Sequence, residues 1–498
     1  MDRHGAFILA IDQSTSATKT MLFNRDAGLV DRVTVPHQQY YPQNGWVEHD
    51  PEEIFSNTLD GIKQLIEKTG ISESRINSIA ITNQRETAMI WDRTTGKPLH
   101  NAVVWQCQRG TETCDRLKKE DKGRLIKEIT GLIIDPYFSA SKLKWMVDHV
   151  EGLPGKIHQG SVLAGTMDSW LVWKLTGGRV HVTDYSNACR TMLLNIKTLE
   201  WDNRMMGLFS LDRAMLPDLI YSDEIAGYTD PSVIFEKPVP IAGLMGDSHA
   251  ALFGQHCFRP GMAKATYGTG SSIMMNIGHE PLDPPEGMVT SIGWGRDKTI
   301  DYVFEGNIHC TGDTINWLIH ELELISSAKE TEELAVSLKG NHGVYLVPAF
   351  VGLGAPYWDN NARAAIVGMS RDTGRAHVAR AALESIAYQV KDVTDLMSEG
   401  SGIRLGELRV DGGATRNNFL MQFQADMLGR PIVRSSIEEI SALGSAFMAG
   451  LATGFWKGVE EISELRMTDQ IFRPAMDTGK VETLYAGWKK AVKRVRID

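Results

Sequence analysis

The stretch FILAIDQSTSATKTMLF at residues 7–23 places two apolar runs on either side of a small, hydroxyl-rich turn. Short apolar runs bounded by turn residues are typical of buried strands. We therefore expect residues 7–11 and 20–23 to pair as a β-hairpin that opens a sheet. Turns of Ser and Thr offer N–H groups and hydroxyls to phosphate oxygens, and Asp12 could hold Mg²⁺ through water. A plain hairpin turn with a capping aspartate is the alternative interpretation.

A second hydroxyl-rich turn, ATYGTGSS at residues 265–272, occurs near the middle of the chain. Before it, the apolar run at 240–247 predicts a buried strand, and residues 248–255 predict a helix. A chain of 498 residues is also longer than one hydrophobic core usually supports. We expect two domains, residues 1–254 and 255–498.

Amphipathic helical patterns alternate with the apolar runs. One covers residues 51–68, with Asp50 as a candidate N-cap and Pro51 in the first turn, and another covers residues 142–149. This alternation predicts an α/β fold.

Composition and charge narrow the classes of function. The net charge of -10 argues against broad electrostatic binding to nucleic acid or to an anionic membrane. No apolar stretch approaches the roughly 18 residues of a membrane-spanning helix. The five cysteines contain no Cys-x-x-Cys pair of the kind found in zinc and redox sites. We expect a cytoplasmic protein with neither a nucleic-acid partner nor membrane insertion.

Two further segments suit the chemistry of nucleotides and sugars. The chain lacks the Gly-x4-Gly-Lys-Ser/Thr loop of P-loop enzymes, so another phosphate cradle is required. The sequence LRVDGGA at residues 408–414 ends in a Gly-Gly turn that permits close backbone approach to a purine or ribose. Arg85 and Glu86 follow an apolar run and together can donate to and accept from polyol hydroxyls. A surface ion pair is the alternative interpretation of these two residues.

Asp247 stands at the end of an apolar run and directly before a predicted helix. Ligands of open α/β sheets bind at the carboxyl ends of the strands, where this carboxylate would meet a bound alcohol. A neutral hydroxyl is a poor nucleophile, and a positioned general base accelerates its reaction roughly 10²- to 10⁴-fold. A helix N-cap is the alternative role.

Several segments together resemble the FGGY carbohydrate kinase family over nearly the whole chain. The most specific are GWVEHDP, ITNQRET, VWQC, DPYFS and GLGAPYW, at residues 45–51, 81–87, 104–107, 135–139 and 352–358. Residues 137–146 and 364–384 are in addition similar to two signature sequences of the family. The resemblance implies two ribonuclease-H-like domains of the actin and hexokinase type, with ATP and substrate in the cleft between them. It also implies Mg²⁺-dependent transfer to a small polyol, glycerol first, and a homo-oligomer that is a dimer or a tetramer.

Carried over by position, the resemblance assigns residues to each part of a kinase site. The general base would be Asp247. The polyol would lie among Arg85, Glu86, Trp105, Tyr137, Asp247 and Ser248. ATP and its phosphates would contact Ser14, Thr15, Ser16, Gly268, Thr269, Gly270, Gly312, Asn316, Gly413 and Asn417. Mg²⁺ would be placed by Asp12, through water, and by Asp247.

The expected polyol site departs from the family pattern at two positions. Ser248 stands where a glutamine is usual, and Ser272 stands where an aromatic residue is usual. Both changes predict a larger and more polar pocket, so a kinase for a four- or five-carbon polyol, a tetritol or pentitol, is the first alternative to glycerol. A ketose kinase and a non-catalytic polyol or nucleotide sensor are further alternatives. The loop at 230–237 lacks the basic, glycine-rich sequence that binds fructose bisphosphate in some bacterial relatives, so we expect no such inhibition.

Overall fold

Two mixed β-sheets, one from each half of the chain, form the framework of the protein. The computed structural model describes residues 5–357, 359, 361–465 and 470–496. Trp358, the last residue of one predicted family motif, lies outside the described residues. The six-stranded first sheet lies within residues 7–246, and the seven-stranded second sheet lies within residues 262–472.

The first half alternates strands and helices, as the apolar runs predict. Its strands are β1 (Phe7–Gln13), β2 (Ala17–Phe23), β3 (Leu29–Pro36), β4 (Glu48–His49), β5 (Ile76–Asn83), β6 (Ala88–Asp92), β7 (Ala102–Val103), β8 (Val162–Thr166), β9 (Val182–Asp184), β10 (Leu194–Asn195), β11 (Glu200–Trp201), β12 (Asp218–Ile220), β13 (Ile225–Tyr228) and β14 (Pro240–Gly246). Its helices are α1 (Pro51–Thr69), α2 (Thr111–Lys119), α3 (Gly123–Thr130), α4 (Ser139–His149), α5 (Leu153–His158), α6 (Met167–Leu175), α7 (Tyr185–Ala188), α8 (Asn203–Phe209) and α9 (Asp247–Gly254).

The second half also mixes strands and helices. Its strands are β15 (Met262–Tyr267), β16 (Ser271–Gly278), β17 (Val289–Arg296), β18 (Thr299–Ile308), β19 (Tyr345–Val347), β20 (Ala365–Val367), β21 (Glu407–Asp411), β22 (Ile432–Arg434) and β23 (Gln470–Phe472). Its helices are α10 (Gly312–His320), α11 (Glu330–Val336), α12 (Arg375–Ser401), α13 (Asn418–Leu428), α14 (Ile440–Ala452), α15 (Val459–Glu464) and α16 (Thr478–Val495). Among the helices of the described ranges, none combines the length and apolarity needed to cross a membrane.

The two large sheets share one strand order. The first runs β13-β14-β5-β1-β2-β3, and the second runs β23-β22-β21-β15-β16-β18-β17. In the first sheet, β1 pairs antiparallel with β2 on one side and parallel with β5 on the other, and β5 pairs parallel with β14. In the second sheet, β15 pairs antiparallel with β16 and parallel with β21, and β21 pairs parallel with β22. This repeated mixed sheet confirms the prediction of two ribonuclease-H-like domains. It also puts the two hydroxyl-rich turns at equivalent positions, inside the two hairpins.

Helix α14 joins the two halves. It belongs to the second half but packs against β1, β5 and β14 of the first sheet and against α9. The two helices cross closely, because a Cβ on Gly444 would lie 1.8 Å from the Ala250 carbonyl oxygen. The proposed domain boundary at 254/255 therefore lies beside a shared helical contact between the halves.

The predicted elements are present, with one boundary wrong in a way that matters for the site. Helix α1 begins after Asp50, whose Oδ1 accepts a hydrogen bond from the Glu52 N–H at 2.8 Å, as an N-cap should. The helix expected from residue 248 begins instead at Asp247, and Gly246 is its N-cap. A carboxylate in the first turn interacts favourably with the partial positive charge of a helix N-terminus. The N-cap alternative for Asp247 is therefore also wrong.

Candidate functional site

Three parallel strands of the first sheet end side by side. Asn83 of β5 lies opposite both Gln13 of β1 and Gly246 of β14. All three strands therefore end at the same edge of the sheet. There β1 leads into the first hydroxyl-rich turn, β5 leads into the segment with Arg85, and β14 leads to Asp247. The approach is tight, because a Cβ on Gly246 would lie 2.7 Å from the Arg85 side chain. The parallel pairing of these strands thus brings three predicted parts of the site together.

The second sheet presents an equivalent edge. Asp411 of β21 lies opposite Thr266 of β15, and Val410 lies opposite Arg434 of β22. Beyond these positions the chain forms the second hydroxyl-rich turn and the Gly-Gly turn at residues 412–413. Cavities lined by residues of both halves separate this edge from that of the first sheet. The two edges therefore face each other across a cleft.

The cleft contains two adjoining cavities. The larger, of about 730 Å³, is lined by Asp12 from the first half and by residues within 411–416 and 434–441 from the second. The smaller, of about 510 Å³, is lined by parts of both hydroxyl-rich turns and by the predicted polyol residues. Asp247 lines both cavities, and its side chain is 41% exposed. A carboxylate in this position can contact ligands in either cavity.

The residues predicted to surround the polyol all line the smaller cavity. They are Arg85, Glu86, Trp105, Tyr137, Asp247 and Ser248. The rings of Trp105 and Tyr137 meet edge to face with their centroids 5.6 Å apart, which makes one wall aromatic. Lys142 holds the backbone beside this wall, because its Nζ donates to the Pro136 carbonyl at 2.7 Å and to the Tyr137 carbonyl at 2.5 Å. Ser272 also lines this cavity, and its buried Oγ has no hydrogen-bond partner within the described chain.

Arg85 and Glu86 belong to a buried network of four charges, so the surface ion pair alternative is wrong. The side chains of Arg85 and Glu86 are only 5% and 1% exposed. Glu305 of β18 accepts hydrogen bonds from two nitrogens of Arg85 at 3.0 and 3.1 Å, and it lies 2.8 Å from Arg190 Nη1. Arg190 Nε in turn donates to Glu86 at 2.6 Å. The network crosses the cleft, because Glu305 is its only member from the second half among the residues described.

Burial and charge act in opposite directions on the two carboxyls of this network. Burial raises the pKa of Glu86, although Arg85 and Arg190 partly offset it. Burial would also raise the pKa of Glu305, but Arg190 and Arg85 outweigh burial and hold that pKa well below its usual range. Glu305 is therefore the firmly ionised anion that balances the two arginines.

The same network sets the surroundings of Asp247. Arg85 Nε lies 3.3 Å from Asp247 Oδ1, and the Ser248 N–H donates to this oxygen at 2.6 Å. Glu86 has a φ of 62°, in the left-handed region that non-glycine residues rarely adopt. Ser139 Oγ donates to the Glu86 carbonyl at 2.9 Å and helps to hold this backbone. Such strained conformations cluster at functional sites.

The two hydroxyl-rich turns contribute unequally to the cavities. Three of their predicted phosphate residues line the smaller cavity: Thr15, Gly268 and Gly270. Three others line neither cavity in the part of the chain that the structure describes: Ser14, Ser16 and Thr269. Ser14 instead closes its turn, because its N–H and its hydroxyl donate to the Ala17 carbonyl at 3.0 and 2.9 Å.

Of the remaining residues predicted to contact ATP, one lines the larger cavity and three line neither cavity as the structure describes them. Gly413 lines the cavity. Gly312 begins α10, and its N–H donates to a carbonyl of the second hydroxyl-rich turn at 3.0 Å. Asn316 lies exposed on the same helix. Asn417 is the N-cap of α13, and its side chain accepts from the Leu420 N–H at 2.9 Å.

Several charged residues of the cleft were not predicted as part of the site, and four of them are Arg190, Lys264, Glu305 and Glu439. Lys264 lines the larger cavity while only 1% exposed, and its Nζ donates to Thr266 Oγ1 at 3.0 Å. Glu439 also lines that cavity and accepts from Lys19 Nζ at 2.8 Å, which links the two halves at the cleft. A signal was present for two of the four, since Lys264 and Glu305 interrupt the apolar sequences of β15 and β18.

Asp12 is a further carboxylate of the larger cavity and, with Asp247, the candidate for a magnesium site. Burial raises the pKa of Asp12 to about 7; Lys19 lowers it, and Asp247 and Glu439 raise it further. Mg²⁺ is usually bound through one or two carboxylates, with water and substrate phosphates in its other positions. No cluster of three or more Asp, Glu, His or Cys residues suited to a metal occurs among the described residues. Asp12 and Asp247 therefore fit a magnesium ion that is held together with a nucleotide.

Both halves of the sequence match one protein family. The profile of the FGGY family of carbohydrate kinases, N-terminal domain, matches residues 7–254. The profile of the C-terminal domain of the same family matches residues 263–453. Together the matches include both hydroxyl-rich turns, Asp247 and the Gly-Gly turn.

Relatives named as glycerol kinases are similar over the full chain. Glycerol kinase 1 of Thermotoga maritima is 54% identical over 492 residues, which cover 99% of this chain and 100% of that protein. Glycerol kinase of Caldanaerobacter subterraneus subsp. tengcongensis is 50% identical over 98% of each chain.

Solved structures of similar proteins share the fold. The crystal structure of Plasmodium falciparum glycerol kinase with ADP superposes with a TM-score of 0.95 at 35% identity, covering 99% of both chains. Ligand-bound xylulose kinase from Lactobacillus acidophilus has a TM-score of 0.86 at 21% identity over 98% of both chains. With both family profiles matched and relatives near half identical along its whole length, the chain belongs to the FGGY family of carbohydrate kinases.

Proposed function

We propose that this chain transfers the γ-phosphoryl group of ATP to a terminal hydroxyl of glycerol, giving glycerol 3-phosphate and ADP. The position of Asp247 carries the proposal, because this carboxylate borders both the smaller cavity, which the predicted polyol residues line, and the larger cavity. Glycerol is the favoured polyol because relatives at 54% and 50% identity are named as glycerol kinases.

In the smaller cavity, the chain's own residues bind and activate the alcohol. Glu86 accepts from polyol hydroxyls, Arg85 donates to them, and the Trp105 ring packs against the carbon chain. Both contacts described for Asp247 use Oδ1, so Oδ2 is the oxygen that takes the proton. The alcohol oxygen forms a bond to the γ-phosphorus while the bond from that phosphorus to the bridging oxygen of ADP breaks.

Between the cavities, N–H groups and hydroxyls hold the phosphoryl group. Thr15, Gly268 and Gly270 line the smaller cavity and would donate to the phosphoryl oxygens. Mg²⁺, placed by Asp12 and Asp247, would neutralise developing charge on the phosphates.

The homo-oligomer, the cytoplasmic location and the absence of inhibition by fructose bisphosphate stay predictions.

A panel of acceptors tests the proposal. The purified chain with ATP and magnesium should release ADP with glycerol, and kcat/KM should be higher for glycerol than for erythritol, threitol or xylitol. A kcat/KM at least tenfold higher for one of the longer polyols would replace glycerol as the substrate. ADP release that is independent of every polyol would contradict phosphoryl transfer to an alcohol.

A second candidate is the same reaction on a four- or five-carbon polyol, and one observation favours it. Ser272 lines the smaller cavity, and its small side chain leaves space there for a longer polyol. We expect Ser272→Phe to fill this space and to raise kcat/KM for glycerol relative to erythritol by about tenfold. A difference of roughly one methylene group in a binding pocket has an effect of this size. The ratio of kcat/KM for glycerol and erythritol measures the shift.

Ser272→Ala is the matched control, because it removes the hydroxyl without filling the space. If the pocket size decides the preference, the alanine variant should keep the ratio of the unmodified protein. A preference that stays the same in both variants would remove Ser272 from the polyol site.

A further inference from the structure

One hydrogen bond joins a predicted polyol residue to a predicted phosphate residue. The indole Nε1 of Trp105 donates to Thr15 Oγ1 at 3.0 Å. Both residues line the smaller cavity, Trp105 after β7 and Thr15 in the first hydroxyl-rich turn. The wall of the predicted polyol site therefore touches a side chain that is predicted to contact phosphate.

The chemistry of the two groups fixes the direction of this bond. An indole N–H only donates, so the Thr15 hydroxyl must accept, and its own proton is excluded from the side facing Trp105. The Thr15 carbonyl is engaged separately, since His37 Nε2 lies 2.9 Å from it and the carbonyl can only accept. The hydroxyl proton is thus free to point into the cavity.

The backbone that carries the indole is held by a chain of hydrogen bonds that returns to the same turn. The backbone N–H of Trp105 donates to Thr87 Oγ1 at 3.2 Å, and Thr87 Oγ1 donates to Gln84 Oε1 at 3.0 Å. Gln84 Nε2 then donates to Gln13 Oε1 at 3.0 Å, one residue before the turn. Thr87, Gln84 and Gln13 are buried, and this buried chain links the Trp105 backbone to the turn that carries Thr15.

We infer that Trp105 is a positioning residue for phosphoryl transfer: its indole N–H holds the Thr15 hydroxyl as a donor toward the phosphate oxygens. This inference rests on the proposed function. It gives Trp105 a role separate from the packing of its ring against the polyol. Because the hydroxyl meets the phosphoryl group and not the polyol, the role belongs to kcat and not to the KM for glycerol.

A double-mutant cycle tests the inference. Trp105→Phe keeps an aromatic ring in the wall but removes the N–H, and we expect kcat to fall about tenfold with a KM for glycerol changed less than about threefold. Thr15→Val removes the hydroxyl itself, and we expect a loss of roughly 10²-fold in kcat, as for the loss of one donor to a developing anion. In the double variant, Trp105→Phe should add less than about twofold to the loss from Thr15→Val, because its effect passes through the missing hydroxyl.

If the falls in kcat of the two single variants multiply in the double variant, the inference is wrong. It is also wrong if Trp105→Phe changes only the KM for glycerol. Thr15→Ser keeps the hydroxyl, so Trp105→Phe should again lower kcat about tenfold in that background. Trp46→Phe is the matched control for loss of an indole in the first half, and its kcat should be unchanged. If the unmodified chain turns over no polyol, the proposed function fails; if it turns over glycerol but the cycle is additive, only this inference fails.

Discussion

Asp247→Asn should lower kcat for glycerol phosphorylation by at least about a hundredfold while leaving ATP affinity nearly unchanged. The amide keeps the size of the side chain and can accept from the Ser248 N–H, but it cannot take a proton from the alcohol. A general base contributes roughly 10²- to 10⁴-fold, so the loss should appear in kcat. Steady-state kinetics measure the loss, and calorimetric titration with ATP measures the affinity.

Asp477→Asn is the control, because it also removes a carboxylate from the start of a helix but lies at the exposed N-cap of α16. Its kcat should equal that of the unmodified chain. Turnover by Asp247→Asn at the unmodified rate would remove Asp247 from proton transfer. Loss of ATP binding in that variant would instead indicate that the carboxylate acts chiefly through the nucleotide and its metal.

Glu305→Gln should lower the free energy of unfolding by about 3 kcal/mol and raise the KM for glycerol. The amide preserves volume but leaves Arg85 and Arg190 buried beside each other without their shared anion. Breaking a buried ion pair by removing one partner typically costs about 3–5 kcal/mol. The KM rises because Arg85, which donates to the polyol, loses one of the two hydrogen bonds that orient it, since the amide nitrogen of glutamine cannot accept. Urea unfolding and glycerol saturation curves give the two quantities.

Glu128→Gln provides the comparison for this variant, since it breaks an exposed ion pair with Arg124 on α3. Exposed pairs contribute little to stability, so its unfolding curve should match that of the unmodified chain. Equal unfolding free energies for Glu305→Gln and Glu128→Gln would contradict the structural role given to the buried network.

The Arg85–Glu86 pair shows what could be predicted from the sequence and what could not. Adjacent charges after an apolar run correctly predicted a polar group at a strand end. Their partners Arg190 and Glu305 lie 104 residues from Glu86 and 220 residues from Arg85, so no local pattern links them. Burial of this pair is a consequence of tertiary packing, and the surface alternative could not be rejected from sequence.

Strand ends were predictable because the carboxyl ends of parallel strands share one edge of a sheet. The apolar runs before Asp12 and Asp247 correspond to β1 and β14, which both flank β5. That order puts the two carboxylates on one cavity although more than two hundred residues of chain separate them. The helix start at Asp247 was missed by one residue, since glycine and aspartate are both common at helix starts.

Asn417 shows how a position carried over from a family can have a second role. The resemblance places this residue among those that contact ATP and its phosphates, and in the structure its side chain caps α13. Asparagine is a preferred N-cap, so the capping role could have been predicted from the local sequence. Its place in the ATP site stays a prediction.

The most direct test of the central claim is phosphorus NMR of the purified chain with ATP, magnesium and glycerol, run beside Asp247→Asn. The unmodified chain should form glycerol 3-phosphate and ADP in equal amounts, and the variant should form both at least about a hundredfold more slowly. ATP that remains intact, or that yields only inorganic phosphate while glycerol stays unmodified, would contradict that claim.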